Sequence, residues 1–281
     1  MKKIALAALI LAVSAAAASA ADMTPAPYYT KAPVVVAPIY NWTGFYLGAN
    51  AGGAWGNSDP RTSTVFNEFG YFDATSVPAV NAVGGSQRIN ESGVTGGLTA
   101  GYNWQAGAAV VGIESDFNYF GPRGSTSGSA LYPCCAPAGF TINSSTSSNW
   151  LITLRPRAGF LVTPAFLLYA TGGLAVANVN AAFNFTDNNS EAAESAAISA
   201  TRVGWTVGAG AEYALMNGWS IKGEYLHVDL GSSSVTSNNL TLFNGAFAVP
   251  VNVFTHSIDW RSEIARVGLN YKFGGPVVAK Y

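Results

Sequence analysis

Eight segments of this chain alternate apolar and polar residues at every second position, and each is about ten residues long. In the first, Trp42 to Asn57, one face carries Phe45, Leu47 and Trp55, whereas the other carries Asn50 and several glycines. A two-residue period is that of a β-strand, and about ten residues let a tilted strand cross a bilayer. One such segment fits a half-buried strand in water equally well, but eight in series favour a sheet that spans a membrane.

The connections between these segments alternate between long and short. The long ones follow the first, third, fifth and seventh segments, at residues 58–92, 121–148, 182–200 and 230–261. Long external loops and short periplasmic turns are typical of barrels in bacterial outer membranes, and both termini then lie in the periplasm. A soluble β-sandwich does not require this order. The sequence therefore predicts an all-β fold, an eight-stranded antiparallel up-and-down transmembrane barrel over residues 42–273.

The two ends of the chain lie outside this barrel. Two lysines precede an apolar run and a small-residue cleavage site that ends at Ala20, which predicts that residues 1–20 are a signal peptide for the Sec pathway. Residues 21–41 are rich in proline and predict an extended periplasmic linker. Residues 274–281 form a C-terminal tail. No run of 18 apolar residues follows the signal peptide, so no transmembrane helix is predicted.

The composition agrees with a surface that faces lipid. Hydrophobic residues make up 49% of the chain and charged residues only 10%, against roughly 25% charged residues in soluble domains. The net charge of −1 becomes −3 once the two lysines of the signal peptide are removed, because each contributes one positive charge. Such a chain has no basic field for nucleic acid, so nucleic acid is not an expected partner.

Nine charged residues fall on the faces that point into the predicted barrel. They are Glu114, Asp116, Arg155, Arg157, Glu212, Lys222, Glu224, Arg266 and Lys272. Both signs are present in near balance, and side chains just fill the interior of an eight-stranded barrel. We therefore predict a paired charge network in the lumen, since an unpaired buried charge costs several kcal/mol. The alternative is that these residues line an ion path.

Aromatic residues cluster near the predicted strand ends. The set is Trp42, Phe45, Trp55, Trp104, Tyr119, Trp150, Tyr169, Trp219, Tyr271 and Phe273. Aromatic girdles at both membrane interfaces are expected of such barrels, although ordinary core packing explains any single member equally well.

The only cysteines, Cys134 and Cys135, are adjacent in a predicted loop. Metal and redox motifs usually separate their cysteines, as in C-x-x-C. Two interpretations stay open from the sequence. One is a vicinal disulfide that braces the loop or responds to redox conditions, and the other is a pair of exposed thiols oxidised in some other way.

Three motifs resemble one known family. Asn41 to Gly48, Leu168 to Ala175 and Arg266 to Phe273 are similar, in this order, to the first, fifth and last strands of the Omp25/Omp31-like (RopB-type) outer-membrane proteins of alphaproteobacteria. The resemblance covers about residues 42–273. It implies an OmpA/OmpX-like barrel in the cell outer membrane, exposed at the surface, with a structural or host-contact role. It brings no catalytic residue, cofactor or metal ligand.

The last of these motifs also resembles the signal that the barrel assembly machinery reads. Its elements here are Arg266, Gly268, Tyr271 and Phe273. The resemblance implies that this machinery is a partner during biogenesis. The family signal usually ends the chain, whereas here residues 274–281 follow it.

Three functions compete at this level. The first is a structural barrel that maintains the envelope and displays four loops, with outer-membrane lipids, including lipopolysaccharide, and a host or surface ligand as partners. The second is a porin for small solutes. The third and weakest is a lipid-modifying enzyme, for which the candidates are His256 with Ser257 and His227 with Asp229. Neighbours on a strand point to opposite faces, which weakens the first pair.

Overall fold

The computed structural model describes residues 40–274. The predicted signal peptide, nearly all of the predicted linker and nearly all of the predicted tail lie outside these residues. The elements in chain order are β1 Gly44–Ser58, β2 Arg61–Thr64, α1 Ser76–Gly85, β3 Ile89–Ala106, β4 Ala109–Phe120, β5 Arg123–Leu131, β6 Gly139–Thr163, β7 Phe166–Asp187, β8 Ala193–Ala214, β9 Trp219–Ser237, β10 Thr241–Leu242, β11 Phe247–Ala248 and β12 Phe254–Lys272.

Eight of these strands close into an antiparallel ring in the order β1, β3, β4, β6, β7, β8, β9 and β12. Closure is made by β12 against β1, from Tyr46 opposite Lys272 to Trp55 opposite Glu263. A closed ring leaves no unpaired strand edge in lipid, where each unsatisfied backbone group costs several kcal/mol. The predicted fold is confirmed. Within residues 40–274, no helix is long and apolar enough to cross a membrane.

The ring strands are longer than a bilayer requires, and their pattern changes along their length. In the lower part of β7, Leu168 and Leu174 lie on the outer face, as lipid demands. Beyond Val176 the apolar residues move from the outer face to the inner face, although the side chains go on alternating. Phe183 and Phe185 are buried inside, and most outer positions are polar. The upper part of the barrel therefore stands in water above the membrane and has its own apolar interior.

The predicted loop boundaries are partly wrong for this reason. The connection predicted at residues 182–200 is reduced to residues 188–192, since β7 and β8 continue as one long hairpin from Thr186 opposite Ala193. The connection predicted at residues 121–148 contains β5 and the first part of β6, which pair from Arg123 opposite Ser147 to Leu131 opposite Gly139. Solvated Ser, Thr and Asn residues in these stretches look like loop residues in the sequence, yet here they cover the outer face of strands.

The remaining connections fold over the upper end of the barrel. We call the cap residues 59–88, 121–138, 188–192 and 238–253. The cap contains α1, and β2 extends the sheet by pairing with β12 from Thr64 opposite Phe254 to Arg61 opposite Ser257. Apolar residues join the cap to the upper barrel in one buried cluster that includes Phe72, Val80, Tyr132, Phe140, Ile142, Phe185, Leu240 and Phe254. The long connections are therefore a folded unit.

Candidate functional site: the lumen and its closures

The periplasmic mouth of the barrel is closed by Trp42, which precedes β1. The indole is 1% exposed, and its Nε1 donates a hydrogen bond to the Pro164 carbonyl at 3.1 Å. Its backbone N–H donates to Gln105 Oε1 at 2.8 Å. The ring packs in a cluster with Val110 and Leu167. The prediction that Trp42 belongs to a membrane girdle is therefore wrong: Trp42 shares the buried, even-numbered positions of Tyr46 and Asn50, so its ring faces the lumen.

Above this closure lies a layer of eight charged side chains that balance four against four. The cations are Arg155, Arg157, Lys222 and Arg266, and the anions are Glu114, Asp116, Glu212 and Glu224. All eight are buried. The layer is therefore neutral as a whole, which limits the large desolvation cost of buried ions.

The connectivity of this layer centres on Arg155. Its Nη2 lies 2.8 Å from Glu114 Oε1 and 2.6 Å from Asp116 Oδ2, and its Nη1 lies 3.2 Å from Glu224 Oε1. Arg266 also contacts Asp116, at 2.8 Å, and Lys222 Nζ contacts both oxygens of Glu114 at 2.8 Å. Arg266 Nη2 also lies 2.5 Å from Glu224 Oε2, so each of these acids contacts at least two cations and the layer is a network, not a set of separate pairs.

Neutral side chains complete the layer. Tyr46 donates to Glu114 Oε2 at 2.7 Å, and Tyr169 donates to Glu224 Oε1 at 3.0 Å. The guanidinium of Arg157 lies 5.0 Å from the Tyr46 ring centroid and 4.9 Å from that of Tyr169, in cation–π range. The prediction that Tyr169 belongs to a membrane girdle is thus wrong, because its ring packs inside. Both tyrosines point into the lumen. The Tyr46 ring lies against Gly101 and the Tyr169 ring against Gly210, where a side chain on either glycine would collide with the phenol.

Lys272, the ninth predicted member, does not join the network. It lies at the periplasmic end of β12, where its Nζ is 5.4 Å from the Tyr40 ring and 3.4 Å from the Gly274 carbonyl. The predicted inward orientation of Lys272 does not show whether it reaches the network, because Lys272 lies closer to the periplasm than the acidic groups.

The four residues of the predicted assembly signal divide between the two sides of the wall. Arg266 belongs to the lumen network, and Gly268 faces inward, where an added Cβ would lie 3.1 Å from Lys222 Cγ. Tyr271 and Phe273 face lipid and pack together with a centroid distance of 5.1 Å. The placement is compatible with recognition of an exposed aromatic edge.

Apolar residues fill the lumen above the charged layer. The cluster contains Ala54, Ile89, Phe120, Leu151, Ala175, Ala177, Val179, Ala181, Phe183, Leu226, Val228, Leu230, Ile258, Trp260 and Ile264. A cavity beside Phe120 and Trp260 has a volume of about 10 Å³, about the room that one water molecule needs. The lumen is therefore packed at three levels: the Trp42 closure, the charged layer and this apolar layer.

Outward-facing aromatic residues form two belts. Near the periplasmic end, Trp219 packs on Tyr271 at 5.1 Å and Phe45 lies 5.8 Å from Phe273. Near the other end, Trp55 lies 6.2 Å from Tyr225. The remaining predicted members, Trp104, Tyr119 and Trp150, also point outward, the first two about half exposed and Trp150 less so. Except for Trp42 and Tyr169, the predicted girdle residues therefore lie on the outer wall, as expected at membrane interfaces.

The catalytic candidates do not form an accessible site. His256 lies in β12, not in a loop as predicted, and is fully buried, whereas Ser257 lies on the opposite face. His256 Nδ1 is 2.9 Å from Thr62 Oγ1, and its Nε2 is 3.2 Å from Glu194 Oε1. This hydroxyl–imidazole–carboxylate arrangement resembles a catalytic triad, but Thr62 is 1% exposed and no substrate reaches it. This arrangement was not predictable from the sequence, because its members lie on three separate strands.

The second candidate pair also separates. His227 and Asp229 both face outward, and each has a different partner. His227 Nδ1 lies 2.6 Å from Glu263 Oε1, and Asp229 Oδ2 lies 3.4 Å from Arg261 Nε. Neither contact includes a hydroxyl nucleophile, so this pair does not have the geometry of a hydrolase.

The cap is anchored by buried phenols and by the start of α1. Tyr132 donates to Asp187 Oδ2 at 2.9 Å, and burial raises the pKa of this phenol well above its usual range. Asp73 accepts hydrogen bonds from the hydroxyls of Ser76 and Thr75, which lower the pKa of its carboxyl group to about 2. Since α1 has no side-chain N-cap at Thr75, Asp73 takes that role from outside the helix.

The two cysteines form a disulfide with each other at the exposed end of the β5–β6 connection. Cys134 Sγ lies 3.6 Å from Ser76 Oγ, at the start of α1. The vicinal disulfide is thus the interpretation that the structure supports. It lies beside the residues that hold the N-terminus of the helix.

A closed ring of eight strands, with an apolar outer wall, two aromatic belts and a packed ionic lumen, defines an outer-membrane β-barrel protein. The chain matches the family model "Outer membrane protein beta-barrel domain" over residues 5–273 and belongs to that family. It lies in the cell outer membrane, as the sequence predicts.

Relatives with known names refine this assignment. The chain is 38% identical over 278 residues to the 31 kDa outer-membrane immunogenic protein of Brucella melitensis, covering 97% of this chain and 100% of the relative. It is 28% identical to the 25 kDa outer-membrane immunogenic protein of Brucella abortus, covering 92% of each chain. The predicted resemblance to the Omp25/Omp31-like family is confirmed. Among solved structures, Neisserial surface protein A is similar with a TM-score of 0.34 and 15% identity, covering 82% of this chain and 98% of that one.

Proposed function

We propose that this protein is a structural component of the outer membrane, which maintains envelope integrity and presents the cap at the cell surface. The packed lumen carries this proposal. The Trp42 closure, the balanced ion network and the apolar layer above it offer no bore for solutes, and the ion pairs tie five of the eight ring strands, β4, β6, β8, β9 and β12, to one another. Such a barrel suits anchoring better than transport.

The cap supports the display part of the proposal. Its buried cluster holds the connections in one arrangement, and large apolar side chains remain on the outside, with Phe69 79% exposed and Phe66, Phe243 and Phe247 more than half exposed. Exposed apolar groups on a folded surface are typical of contact sites. We infer that a host or surface ligand docks on these cap residues.

The outer wall supports two further partners. Lipids of the outer membrane, including lipopolysaccharide, surround the apolar band between the aromatic belts. The barrel assembly machinery is the proposed partner during biogenesis, with Arg266, Gly268, Tyr271 and Phe273 as its signal. Phe273→Ser should slow assembly without changing the final fold. Phe247→Ser, in the cap, should leave the rate of assembly unchanged.

Conductance in planar bilayers tests the central claim. Purified protein, shown to be folded by heat-modifiable gel migration, should give no steady channel. A steady open conductance would overturn the structural role in favour of a porin. In cells, loss of the protein should increase sensitivity to detergents, and protease treatment of intact cells should cleave only within the cap or the upper barrel. Cleavage at the turns near Gly107, Pro164 or Asn217 would refute the orientation.

A further inference from the structure

One sector of the lipid-facing wall departs from the rest. In the eight ring strands, the outward positions below the upper aromatic belt are apolar, aromatic or small, and Ser115 is the one isolated hydroxyl among them. The exception is a group of charged and titratable residues on the neighbouring strands β9 and β12. We call this exception the β9–β12 patch. Its titratable members are His227, Asp229, Arg261 and Glu263.

The patch extends unusually far toward the periplasmic side. His227 is the eighth residue after the first residue of β9, whereas the eighth residues after the starts of β4 and β7 are Phe117 and Leu174. Those two side chains are more than half exposed to lipid. At the same distance from the strand start, β4 and β7 therefore face acyl chains, whereas β9 presents an imidazole. Titratable groups are costly in the hydrocarbon region and usually mark a functional site.

The internal contacts of the patch leave binding capacity unused. His227 and Glu263 lie 2.6 Å apart and Arg261 and Asp229 lie 3.4 Å apart, which satisfies one bond of each group. The Arg261 side chain is 60% exposed, and only its Nε makes this contact, so its terminal nitrogens point to the surroundings. Glu263 Oε2 is shielded by the protein, so the unused capacity that a ligand can reach is that of the Arg261 guanidinium.

Aromatic rings frame the patch. Trp205 lies 5.3 Å from the His227 ring, and Trp55 lies 6.2 Å from Tyr225 and is paired in register with Glu263. Trp and Tyr rings in this position mark the level of lipid head groups. Asp229 is paired in register with Trp205 and with Arg261, so these two upper members of the patch lie at the level where the outer leaflet presents phosphates and sugar hydroxyls, and His227 lies just below it.

We propose that the β9–β12 patch binds the phosphorylated sugar head group of an outer-leaflet glycolipid. Arg261 donates its free guanidinium N–H groups to a phosphate, a geometry for which arginine is suited. At β9 the head group lies closer to the membrane centre than elsewhere and covers the His227–Glu263 pair, so this pair does not contact acyl chains. This site needs only the membrane location of the barrel, not its proposed structural role.

Native mass spectrometry of the folded protein in detergent tests the site, with three probes offered separately. They are diphosphorylated lipid A, dephosphorylated lipid A and phosphatidylethanolamine. The wild type should retain diphosphorylated lipid A in clear preference to the other two. Exchange of Arg261 for Gln removes charge-assisted hydrogen bonds and should lower this retention about tenfold. Arg88→Gln is the matched control, because Arg88 is an arginine of similar exposure whose ion pair, with Asp59, includes no residue of the patch.

A second variant separates binding from a merely structural effect. Asp229→Asn removes the internal competitor for Arg261 and should raise retention of lipid A, whereas a loss of local structure would lower it. Every variant is first checked for heat-modifiable migration. Equal retention of lipid A by wild type and Arg261→Gln, or equal retention of the dephosphorylated lipid, would overturn the proposal. So would a dimer that Arg261→Gln abolishes while lipid retention stays constant, because the patch would then be an interface between two copies.

Discussion

Replacement of Arg155 tests whether the lumen network holds the barrel together. Arg155 contacts three carboxylates, those of Glu114, Asp116 and Glu224, at 2.6 to 3.2 Å, and is fully buried. Arg155→Met keeps most of the side-chain volume but leaves four buried acids facing three cations. Removing one partner from a buried ionic group costs about 3–5 kcal/mol, because the remaining charge is no longer compensated. The folding equilibrium should therefore shift by more than about a hundredfold.

Two matched variants separate charge balance from packing. In Arg155→Met/Glu114→Gln one positive and one negative charge are removed together, so the layer is neutral again, and the double variant should recover a large part of the lost stability. Arg88→Met is the exposed control. The Arg88–Asp59 pair lies on the surface at 3.0 Å, and such pairs contribute about 0–1 kcal/mol.

The assay is urea unfolding in detergent micelles or lipid vesicles, followed by tryptophan fluorescence and by the folded band in unheated gels. The free energy of unfolding of Arg155→Met should fall by several kcal/mol, that of the double variant by less, and that of Arg88→Met hardly at all. A loss of about 1 kcal/mol or less for Arg155→Met would refute the reasoning. A double variant less stable than the single one would also refute it, since charge balance would then not govern the layer.

Three further outcomes follow from the structure. Gly52→Val should destabilise the barrel by about 1–3 kcal/mol in the same urea assay, because an added Cβ would lie 2.1 Å from a carbonyl oxygen of β12, whereas Gly223→Val, with nothing within 4 Å of that Cβ, should be tolerated. Trp42→Ala should cost about 3–5 kcal/mol yet open no channel in planar bilayers, since the charged layer remains, and the lipid-facing Trp104→Ala should cost less. Asp73, whose folded pKa of about 2 lies below the ordinary 3.8, stabilises the start of α1 above pH 4 and loses this contribution as the pH falls toward 2; hydrogen exchange in α1 should follow that loss in the wild type but not in Asp73→Asn.

The outer wall of the barrel could be predicted from the sequence because lipid imposes one simple demand. Every second residue in contact with acyl chains must be apolar, so Leu98, Phe117 and Val207 reveal their orientation without any knowledge of their neighbours. The inward charges were visible for the same reason: Arg155 or Glu224 on an alternating strand has no other place to go. Which acid meets which base was not predictable, since these contacts depend on strand register around the whole ring.

The closures were hidden because they depend on tertiary contacts. Trp42 stands near a strand end like a girdle tryptophan, but it shares the lumen-facing positions of Tyr46 and Asn50, and its partner, the Pro164 carbonyl, lies 122 positions away. The pairing of His256 with Glu194 and Thr62 joins residues more than 60 positions apart, and nothing near any of them in the sequence indicates the others. The cap core was missed likewise, because its apolar residues are scattered through polar connections.

The strand ends were misplaced because each strand passes through two solvents. In lipid the outer face is apolar and the lumen takes the charges, whereas in water the outer face is polar and the interior takes the apolar residues. On β12 the change falls between Ala265, which faces lipid, and Ile264, which is buried inside; Glu263 is then the first polar outward position. The alternation itself never stops, so a search for lipid-facing residues ends each strand at the membrane surface. A search for the inversion of phase instead follows β6, β7 and β12 to their true ends, and it also locates the head-group level at which the β9–β12 patch lies.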